Sequence, residues 1–386
     1  MLLNNIEYYL WLQNAVGQGN QHIKQIFWHF KNVKNIYESG SAAWKESGLF
    51  TEHQLEQMSK TDLAPWQKIE EYCQRQGYKI ITLTHPQYPK SLANISNPPV
   101  ALFVQGSIAH IDDLPLIAVV GTRKATEYGK EVTHTISRDL AKAGAIVVSG
   151  CALGIDSVAH RAALQVEGKT IGVLGCGIEA KYNMENKSLR DDIAKSQAII
   201  TEYPPHVTPT KYSFPIRNRI LSAICTATVV VEAAKRSGSL ITAHLASEQG
   251  RDVFAIPGSL FNEYSEGANL LIQEGATPIL SALDILREYE GLYGDTLDVS
   301  KLEKTTEPTI KKELTPEPVR QEDEKAIVLP DDLREIYDVI TKEPVHVSVL
   351  AEKTGKPVHF ILVLLTQLEI KGLVVPGYGQ TYSRTK

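Results

Sequence analysis

Short apolar runs alternate with segments of helix length between residues 115 and 290. Each run is long enough for one buried strand, and each intervening segment is long enough for a helix. This alternation is typical of a parallel sheet whose strands are joined by crossover helices. The sequence therefore predicts an α/β domain over residues 81–290, built on a Rossmann-like, doubly wound parallel sheet. The runs are Leu116–Val120, Ala145–Val148, Thr170–Leu174, Ala198–Thr201, Thr228–Val231 and Val253–Ile256.

The first 80 residues have the spacing of amphipathic helices. Apolar residues recur three or four positions apart in stretches around Tyr9, Phe27 and Ile69. A proline-rich passage follows and surrounds the apolar run Val100–Val104. We expect a helical domain over residues 1–80, and a strand at Val100–Val104 that is reached by irregular chain.

The chain after residue 290 changes character twice. Residues 291–330 carry four prolines, clustered charges and little apolar periodicity, which predicts a linker. Residues 331–386 then contain three helical patterns and a hairpin pattern near Tyr382, an order that predicts a winged-helix-like domain. The three patterns are Leu333–Ile340, Val347–Lys353 and Val358–Lys371.

Composition supports a folded chain of two or three domains. The 386 residues are 43% hydrophobic and 22% charged, and the net charge is 40 − 45 = −5. No apolar stretch approaches the length of a membrane span and no leader pattern opens the chain, so we expect a cytoplasmic protein without a membrane span. The four cysteines are too scattered for a zinc site or a disulfide framework, and we expect buried thiols and no metal. The acidity disfavours a generally basic nucleic-acid binder, so such a role would need local positive charge.

Familiar catalytic signatures are missing. The sequence has no HExxH, GxSxG or CxxC pattern, and Gly168-Lys169-Thr170 lacks the first glycine of a P-loop because Ala163 stands there. The pattern Gly175-Cys176-Gly177-Ile178-Glu179-Ala180 suits a dinucleotide pyrophosphate. However, no apolar-periodic helix follows it. We expect no catalytic residue and no cofactor.

Two strand ends offer a site for an anion. Val120-Gly121-Thr122-Arg123-Lys124 leaves a strand and enters a helix, so N–H groups, a hydroxyl and two cations meet at one helix N-terminus. Ser149-Gly150, continuing to Gly154-Ile155-Asp156, ends the next strand at the same edge of the sheet. The structural alternative is that Gly121 and Gly154 only permit tight turns and that Asp156 only caps a helix.

The segment Lys211–Arg219 mixes cations with aromatic side chains. Lys211, Arg217 and Arg219 alternate with Tyr212 and Phe214 after several prolines, which suits an irregular loop that binds phosphates and stacks bases. The alternative is a surface loop whose arginines pair with Glu202 or Glu232. Both can hold, with one arginine pointing inward and the other outward.

In combination, these motifs resemble the DNA processing protein A (DprA/Smf) family from about Pro86 to Ala276. The N-terminal part looks like that family's sterile-alpha-motif or helix-hairpin-helix-like domain, and the C-terminal part is similar to its winged-helix extension. The motifs are Val120-Gly121-Thr122-Arg123, Ser149-Gly150, Gly154-Ile155-Asp156, Ala159-His160, Phe214-Pro215, Arg217-Asn218-Arg219-Ile220, Glu232-Ala233, Ser237-Gly238-Ser239, Ile256-Pro257-Gly258 and Gly267 with Asn269.

The resemblance implies a non-enzymatic protein of natural transformation. Members bind and protect incoming single-stranded DNA on the Rossmann-like domain, help to load the RecA recombinase, and act as homodimers through that domain. By motif, Arg123 and Lys211 would hold phosphates and Phe214 would stack a base. The remaining residues that we assign to single-stranded DNA binding are Gly121, Thr122, Ser149, Gly150, Lys169, Arg217, Asn218, Arg219, Ser237 and Gly238, and the segment that we assign to the dimer contact is Leu270, Leu271 and Ile272.

Two rival functions remain open from the sequence. The first is a phosphoribohydrolase-like enzyme that acts on a nucleotide through Glu232, although the Gly-Gly-x-Gly-Thr-x-x-Glu pattern of such enzymes is absent. The second is a winged-helix transcription regulator. Residues 331–386 carry seven acidic and seven basic residues, and their third helix has few groups that could read bases, so we favour a protein-interaction module there.

Overall fold

The computed structural model describes residues 5–303, 329–341, 343–377 and 379–385. The chain divides into two compact units, one up to residue 308 and one after it. Within the described residues, no helix is long and apolar enough to cross a membrane.

The first unit begins with five helices and continues as an alternation of strands and helices. Its strands are β1 Lys79–Thr82, β2 Ala101–Gly106, β3 Leu116–Val120, β4 Ile146–Ser149, β5 Thr170–Val173, β6 Ala198–Thr201, β7 Ala227–Val230, β8 Asp252–Ala255 and β9 Thr277–Pro278. Its helices are α1 Ile6–Val16, α2 Ile23–Phe30, α3 Val33–Ser47, α4 Glu52–Met58, α5 Ala64–Gln76, α6 Lys90–Ala93, α7 Glu127–Lys142, α8 Ile155–Gln165, α9 Lys187–Ser196, α10 Ser213–Ile224, α11 Gly238–Glu248, α12 Glu266–Gln273, α13 Ala282–Tyr293 and α14 Ser300–Glu303, with 3-10 turns at Ile111–Asp113 and Met184–Asn186.

All nine strands form one sheet in the order β1-β2-β6-β5-β4-β3-β7-β8-β9. From β6 to β9 neighbouring strands are parallel, as predicted, whereas β2 runs antiparallel to both β1 and β6. The predicted Rossmann-like α/β sheet is thus confirmed, with a two-stranded antiparallel addition at one side. The chain winds from β3 through β4 and β5 to β6, then crosses to β7 on the other side of β3, so the winding direction reverses between β3 and β7.

The sheet is buried on both faces. Along β3, Leu116, Ala118 and Val120 pack against α10, α11 and α12, whereas Ile117 and Val119 pack against α7, α8 and α13. This side-chain alternation is the period of two expected for a strand. Because both faces are covered, the strands read as continuous apolar runs in the sequence.

The helical segment at the start packs directly on the sheet domain. Side chains of α1, α2 and α3 share a core with Phe103 of β2 and Leu174 after β5. The Gln13 side-chain amide bridges two elements, since it donates to the Glu202 carbonyl at 2.6 Å and accepts from the Ala101 N–H at 2.6 Å. The helical content of residues 6–76 agrees with the sequence, while the proposed boundary at residue 80 stays a prediction.

The sheet domain extends beyond the predicted start of the linker at residue 291. Leu297, Val299 and Leu302 are buried in the same core as α7 and α13. These side chains were missed because three apolar residues among polar ones give no clear period. The predicted linker residues 304–328 lie outside the described residues.

The second unit has the predicted winged-helix order of elements. Three helices pack through Leu333, Ile336, Leu350, Ile361 and Leu365. A small antiparallel sheet in the order β10-β12-β11 forms the wing. The elements are α15 Asp331–Val339, β10 Val345–His346, α16 Val347–Thr354, α17 Val358–Ile370, β11 Val374–Pro376 and β12 Thr381–Arg384.

Candidate functional site

A cavity of about 260 Å³ opens at the carboxyl ends of β3 and β7, where the winding direction of the sheet reverses. Open α/β sheets place their ligands at this point, since the two loops diverge there and leave a crevice. We call it the switch-point cavity. Its lining residues are Val120, Gly121, Thr122, Arg123, Ala152, Asp156, Phe214, Arg217, Asn218, Leu221, Ser237, Gly238, Ser239 and Thr242.

The loop after β3 is held in place by its backbone. The Thr122 N–H donates to the Glu232 carbonyl at 2.7 Å, and the Thr122 carbonyl accepts from Ile155 at 3.2 Å. A Cβ at Gly121 would lie 2.6 Å from the Ile155 side chain and 2.8 Å from the Glu232 carbonyl, so only glycine fits. This packing leaves the Arg123 side chain exposed at the rim.

Arg123 and Phe214 form a joint surface. The Arg123 guanidinium carbon lies 5.2 Å from the centre of the Phe214 ring, and the Tyr182 ring centre is 5.3 Å from that of Phe214. Gly175 permits this arrangement, because a Cβ there would approach the Phe214 ring to 3.0 Å. A cation beside an aromatic face can hold a phosphate and stack a base together.

The backbone of the Gly175–Ala180 pattern is bonded to another segment of the protein. The Gly177 N–H donates to the Val207 carbonyl at 2.8 Å, and the Glu179 N–H donates to the Pro205 carbonyl at 2.8 Å. A Cβ at Gly177 would lie 2.2 Å from the Pro205 carbonyl oxygen. The backbone N–H groups that would face a pyrophosphate are therefore occupied, and the glycines serve close packing.

Arg217 lines the cavity, and hydrogen bonds to two neighbouring strand ends hold its side chain in place. Its side chain is buried and donates to the carbonyls of Gly150, at 3.0 Å, and Val173. Burial raises the pKa of nearby Asp156, and the Arg217 charge partly opposes that rise. Asp156 also accepts N–H groups from Gly150 and Ala152, at 3.1 and 3.3 Å. Arg217 thus ties the loops after β4 and β5 to α10.

Several predicted residues lie outside the cavity. The Ser149 hydroxyl donates to the Val119 carbonyl at 2.7 Å, and Gly150 is buried beneath Arg217. Arg219 is buried and pairs with Glu202 at 2.6 Å. These three residues support the site from inside the protein, so the structure does not bring Arg219 to the ligand surface.

The two lysines that were assigned to DNA binding lie at opposite edges of the sheet. Lys211 is exposed just before α10, with its ammonium 4.9 Å from the centre of the Tyr212 ring. Lys169 precedes β5 and therefore lies at the amino edge of the sheet, opposite the switch-point cavity. Lys169, which the resemblance assigned to DNA binding together with Arg123, is therefore not brought to the same edge as Arg123. Lys211 and Arg123 do share the carboxyl edge.

The first turn of α11 closes the other side of the cavity. Ser237 caps this helix, since its hydroxyl accepts from the Ser239 N–H at 3.3 Å, and Gly238 is its first residue. N–H groups of a first turn have no partner within the helix and suit an anion. Thr242 was missed from the sequence. It lies one turn after Gly238 on the same helix face and could have been found from that spacing.

Cations after β7 were also missed as site residues. Lys235 and Arg236 are exposed in the loop between β7 and α11, at the same edge as Arg123. Lys235 lies 3.6 Å from the Glu266 carboxylate. The signal was their position in the loop between a strand and the helix that follows it.

Glu232 is committed to a structural role. It is 1% exposed, and its carboxylate accepts from both the N–H and the hydroxyl of Thr126, at 3.0 and 2.5 Å. A Cβ at Gly129 would lie 2.1 Å from a Glu232 carboxylate oxygen, so the glycine allows α7 to pack closely against this carboxylate. Both carboxylate oxygens hold the start of α7, and this buried group is not among the residues that line the switch-point cavity.

The segment assigned to a dimer contact lies on α12. Leu271 is buried in the core of the sheet domain, whereas Leu270 and Ile272 are half-buried.

Among the described residues, no group of histidine, cysteine and carboxylate side chains has the arrangement of a metal site. The four cysteines are buried.

Comparison with known proteins agrees with this architecture. The family model "DNA recombination-mediator protein A" matches residues 79–290, and the model "DprA winged helix domain" matches residues 316–380. Protein Smf of Synechocystis is 34% identical over 98% of this chain and 98% of its own length. The DNA processing protein DprA of Bacillus subtilis is 44% identical over 55% of this chain and 72% of its own length.

Two solved structures extend the comparison. DprA of Streptococcus pneumoniae has a TM-score of 0.65 and 36% identity, and covers 73% of this chain and 97% of that chain. DprA of Helicobacter pylori has a TM-score of 0.51 and 32% identity, and covers 55% of this chain and 96% of that chain. That second structure is described as giving insight into the single-stranded DNA binding mode of the Helicobacter protein.

The Rossmann-like domain and the winged-helix domain that follows it match the two domain models of a class of DNA recombination mediators. The chain belongs to the DNA recombination-mediator protein A (DprA/Smf) family, and its role is in DNA processing and recombination.

Proposed function

We propose that this chain binds single-stranded DNA along the carboxyl edge of its sheet, across the switch-point cavity. The observation that carries the proposal is the pairing of exposed Arg123 with the Phe214 ring, opposite the first turn of α11. One wall supplies a cation and an aromatic face, and the other supplies N–H groups and hydroxyls. A strand of nucleotides presents phosphates and unpaired bases in alternation, which is the ligand that such a surface fits.

The exposed cations extend beyond the cavity on both sides. Lys211 and Tyr212 lie before α10, and Lys235 and Arg236 lie after β7. Together with Arg123 they concentrate positive charge at one edge of a chain whose net charge is −5. This arrangement favours a flexible strand that follows the edge, and it makes binding depend on salt.

The proposal includes the cellular role that the family resemblance implies. The protein protects incoming DNA during natural transformation in the cytoplasm and helps to load RecA, without catalysing a reaction. It acts as a homodimer through the Rossmann-like domain, with α12 in the contact. The winged-helix-like domain serves as a protein-interaction module. The Helicobacter structure and the occupied carboxylate of Glu232 support this proposal over a nucleotide-hydrolysing enzyme.

The DNA-binding proposal is tested by titrating labelled oligo-dT and a duplex of equal length with wild type and Arg123→Glu, followed by fluorescence anisotropy. We expect wild type to prefer the single strand and the variant to lose at least tenfold in affinity. Arg287→Glu is the matched control, because Arg287 is exposed on α13 and lies outside the cavity lining. Equal binding by wild type and Arg123→Glu would overturn the site assignment.

The finer roles need separate experiments. RecA loading predicts that the protein accelerates RecA filament formation on single strands covered by a single-strand-binding protein, and that Arg123→Glu does not. The dimer predicts that Leu270→Glu, at a half-buried position, lowers the mass found by light scattering. Leu271 and Ile272 are not suitable for this test, because Leu271 is buried in the core and Ile272 packs against it.

A further inference from the structure

A second cavity, of about 330 Å³, lies between the helical segment and the loop that leads into α10. Its volume is within the range of ligand pockets, about 300–1,000 Å³. We call it the helical cavity. Its lining residues are Leu10, Gln13, Asn14, Gln18, Trp66, Tyr203, Pro204, Val207, Thr208, Thr210, Ser213 and Ile216.

The walls of the helical cavity are fixed to each other. Gln13 bonds to the Glu202 carbonyl and the Ala101 N–H, as described above, and so anchors α1. Gly19 lies against α10, since a Cβ there would be 3.3 Å from the side chain of Ile216. Gly19 also has a φ of +74°, which favours glycine. The cavity is thus preformed.

The lining suits a flat, uncharged ligand with polar edges. Among the described residues, no lining side chain carries a charge, so a phosphate would gain no ion pair there. Trp66 is half-buried, because it packs partly against the core of the helical segment, and it also lines the cavity, where it supplies aromatic surface. The side-chain amides of Asn14 and Gln18 have no hydrogen-bond partner among the described residues. An amide both donates and accepts, as the edge of a nucleobase does.

The helical cavity adjoins the proposed DNA-binding edge along the chain. Thr210 and Ser213 line it, and they are bonded to each other, with the Thr210 N–H donating to the Ser213 hydroxyl at 2.9 Å. Lys211 lies between these two residues and is exposed. Phe214, the next residue in the chain, faces the switch-point cavity instead. A phosphate at Lys211 would therefore be followed by a base close to the helical cavity.

We propose that the helical cavity is a nucleobase subsite, in which Trp66 stacks one unpaired base of the bound strand and Asn14 and Gln18 bond to its edge. The proposal rests on the proposed function, because the strand must first reach Lys211. It assigns the N-terminal helical segment a direct part in binding single strands. Stacking on an aromatic side chain stabilises a bound base, so loss of Trp66 is expected to lower affinity about tenfold.

The test compares binding of a complete strand with binding of strands that lack a single base. A series of oligo-dT strands, each with one abasic position, is titrated against wild type and Trp66→Leu by anisotropy. At one position, removal of the base should weaken wild type about tenfold and leave Trp66→Leu unchanged. Trp66→Phe should restore the sensitivity, because phenylalanine also stacks. If base removal at every position weakens wild type and Trp66→Leu equally, the subsite does not exist.

Two controls separate this idea from loss of folding or of the main site. Trp28→Leu is the matched control, since Trp28 is 76% exposed on α2 and lies outside the lining. Should Trp66→Leu unfold, the exposed Asn14→Asp variant gives the same test by placing a negative charge beside the base. If wild type bound no single-stranded DNA at all, the proposed function itself would be wrong, which is a different result from loss of the subsite alone. Competition by a peptide for the cavity, with unchanged base sensitivity, would overturn the subsite in favour of a protein partner.

Discussion

Arg123 lies over the Phe214 ring, with its guanidinium carbon 5.2 Å from the ring centre. The two residues come from distant parts of the chain, the loop after β3 and the first turn of α10. Gly175 leaves room for the Phe214 ring, and Gly121 lets the loop that carries Arg123 pack closely on Ile155 and Glu232. The pair forms a continuous cationic and aromatic surface at the rim of the switch-point cavity.

The first prediction is that Arg123 and Phe214 act together. Arg123→Ala and Phe214→Leu should each weaken binding of oligo-dT, because one removes a phosphate contact and the other a stacking face. The double variant should lose less than the sum, by about 0.5–1 kcal/mol, since each single change already removes the contact between cation and ring. Anisotropy titrations of the four proteins measure this coupling, and strictly additive losses would contradict it.

The second prediction concerns the two lysines. Lys211→Glu should weaken oligo-dT binding at least tenfold. The slope of log affinity against log salt concentration should become shallower by about 0.7 for each phosphate that the variant no longer neutralises. Lys169→Glu introduces the same charge change on an exposed residue at the opposite edge, and it should leave affinity within about twofold. Titrations at three salt concentrations distinguish the two variants. A large loss in Lys169→Glu would place part of the DNA path at the amino edge.

Strand direction explains why Arg123 lies at the carboxyl edge, as predicted, and why Lys169, assigned to the same site by resemblance, does not. Arg123 follows its strand, and the carboxyl ends of parallel strands meet at one edge. Lys169 precedes β5, and its position in a Gly-Lys-Thr pattern obscured that direction. All six predicted central strands were found because each is a short apolar run buried on both faces. The strand β9 has two residues, both exposed, and β1 has the same four-residue length as most central strands but is half exposed, so neither gives such a signal.

Arg217 and Arg219 show what spacing alone could not determine. The sequence predicted an irregular loop and left open whether its arginines bind phosphates, pair with carboxylates, or divide these roles with one inward and one outward. Instead α10 begins at Ser213, and both guanidinium groups find buried partners in other elements. Those partners, the Gly150 carbonyl and the Glu202 carboxylate, depend on how the helix docks on the sheet. No local pattern carries that information.

The third prediction follows from the buried position of Arg217. Arg217→Met should lower the free energy of unfolding by about 3–5 kcal/mol, because Asp156 and two carbonyls lose a charged partner in a buried place. Arg287→Met, on the exposed surface of α13, should change it by less than about 0.5 kcal/mol. Urea unfolding followed by circular dichroism gives both values. Unchanged stability with weakened DNA binding would instead make Arg217 a direct DNA contact.

The fourth prediction is a pH dependence that comes from His160. Burial lowers the pKa of this side chain from 6.5 to about 3, and its ring nitrogens contact Thr170 at 2.7 Å and Cys151 at 3.5 Å. Between these pH values the unfolded chain binds a proton at His160 that the folded chain does not. Stability should therefore fall as pH falls below 6.5, with a contribution of about 1.4 kcal/mol per pH unit from this residue. His160→Gln cannot titrate, so its free energy of unfolding, measured by urea titration between pH 7.5 and 5, should fall less steeply than that of wild type. His53→Gln, at an exposed position on α4, is the control and should keep the wild-type slope. Parallel slopes for wild type and His160→Gln would mean that His160 is protonated in the folded protein, and the burial argument would fail with them.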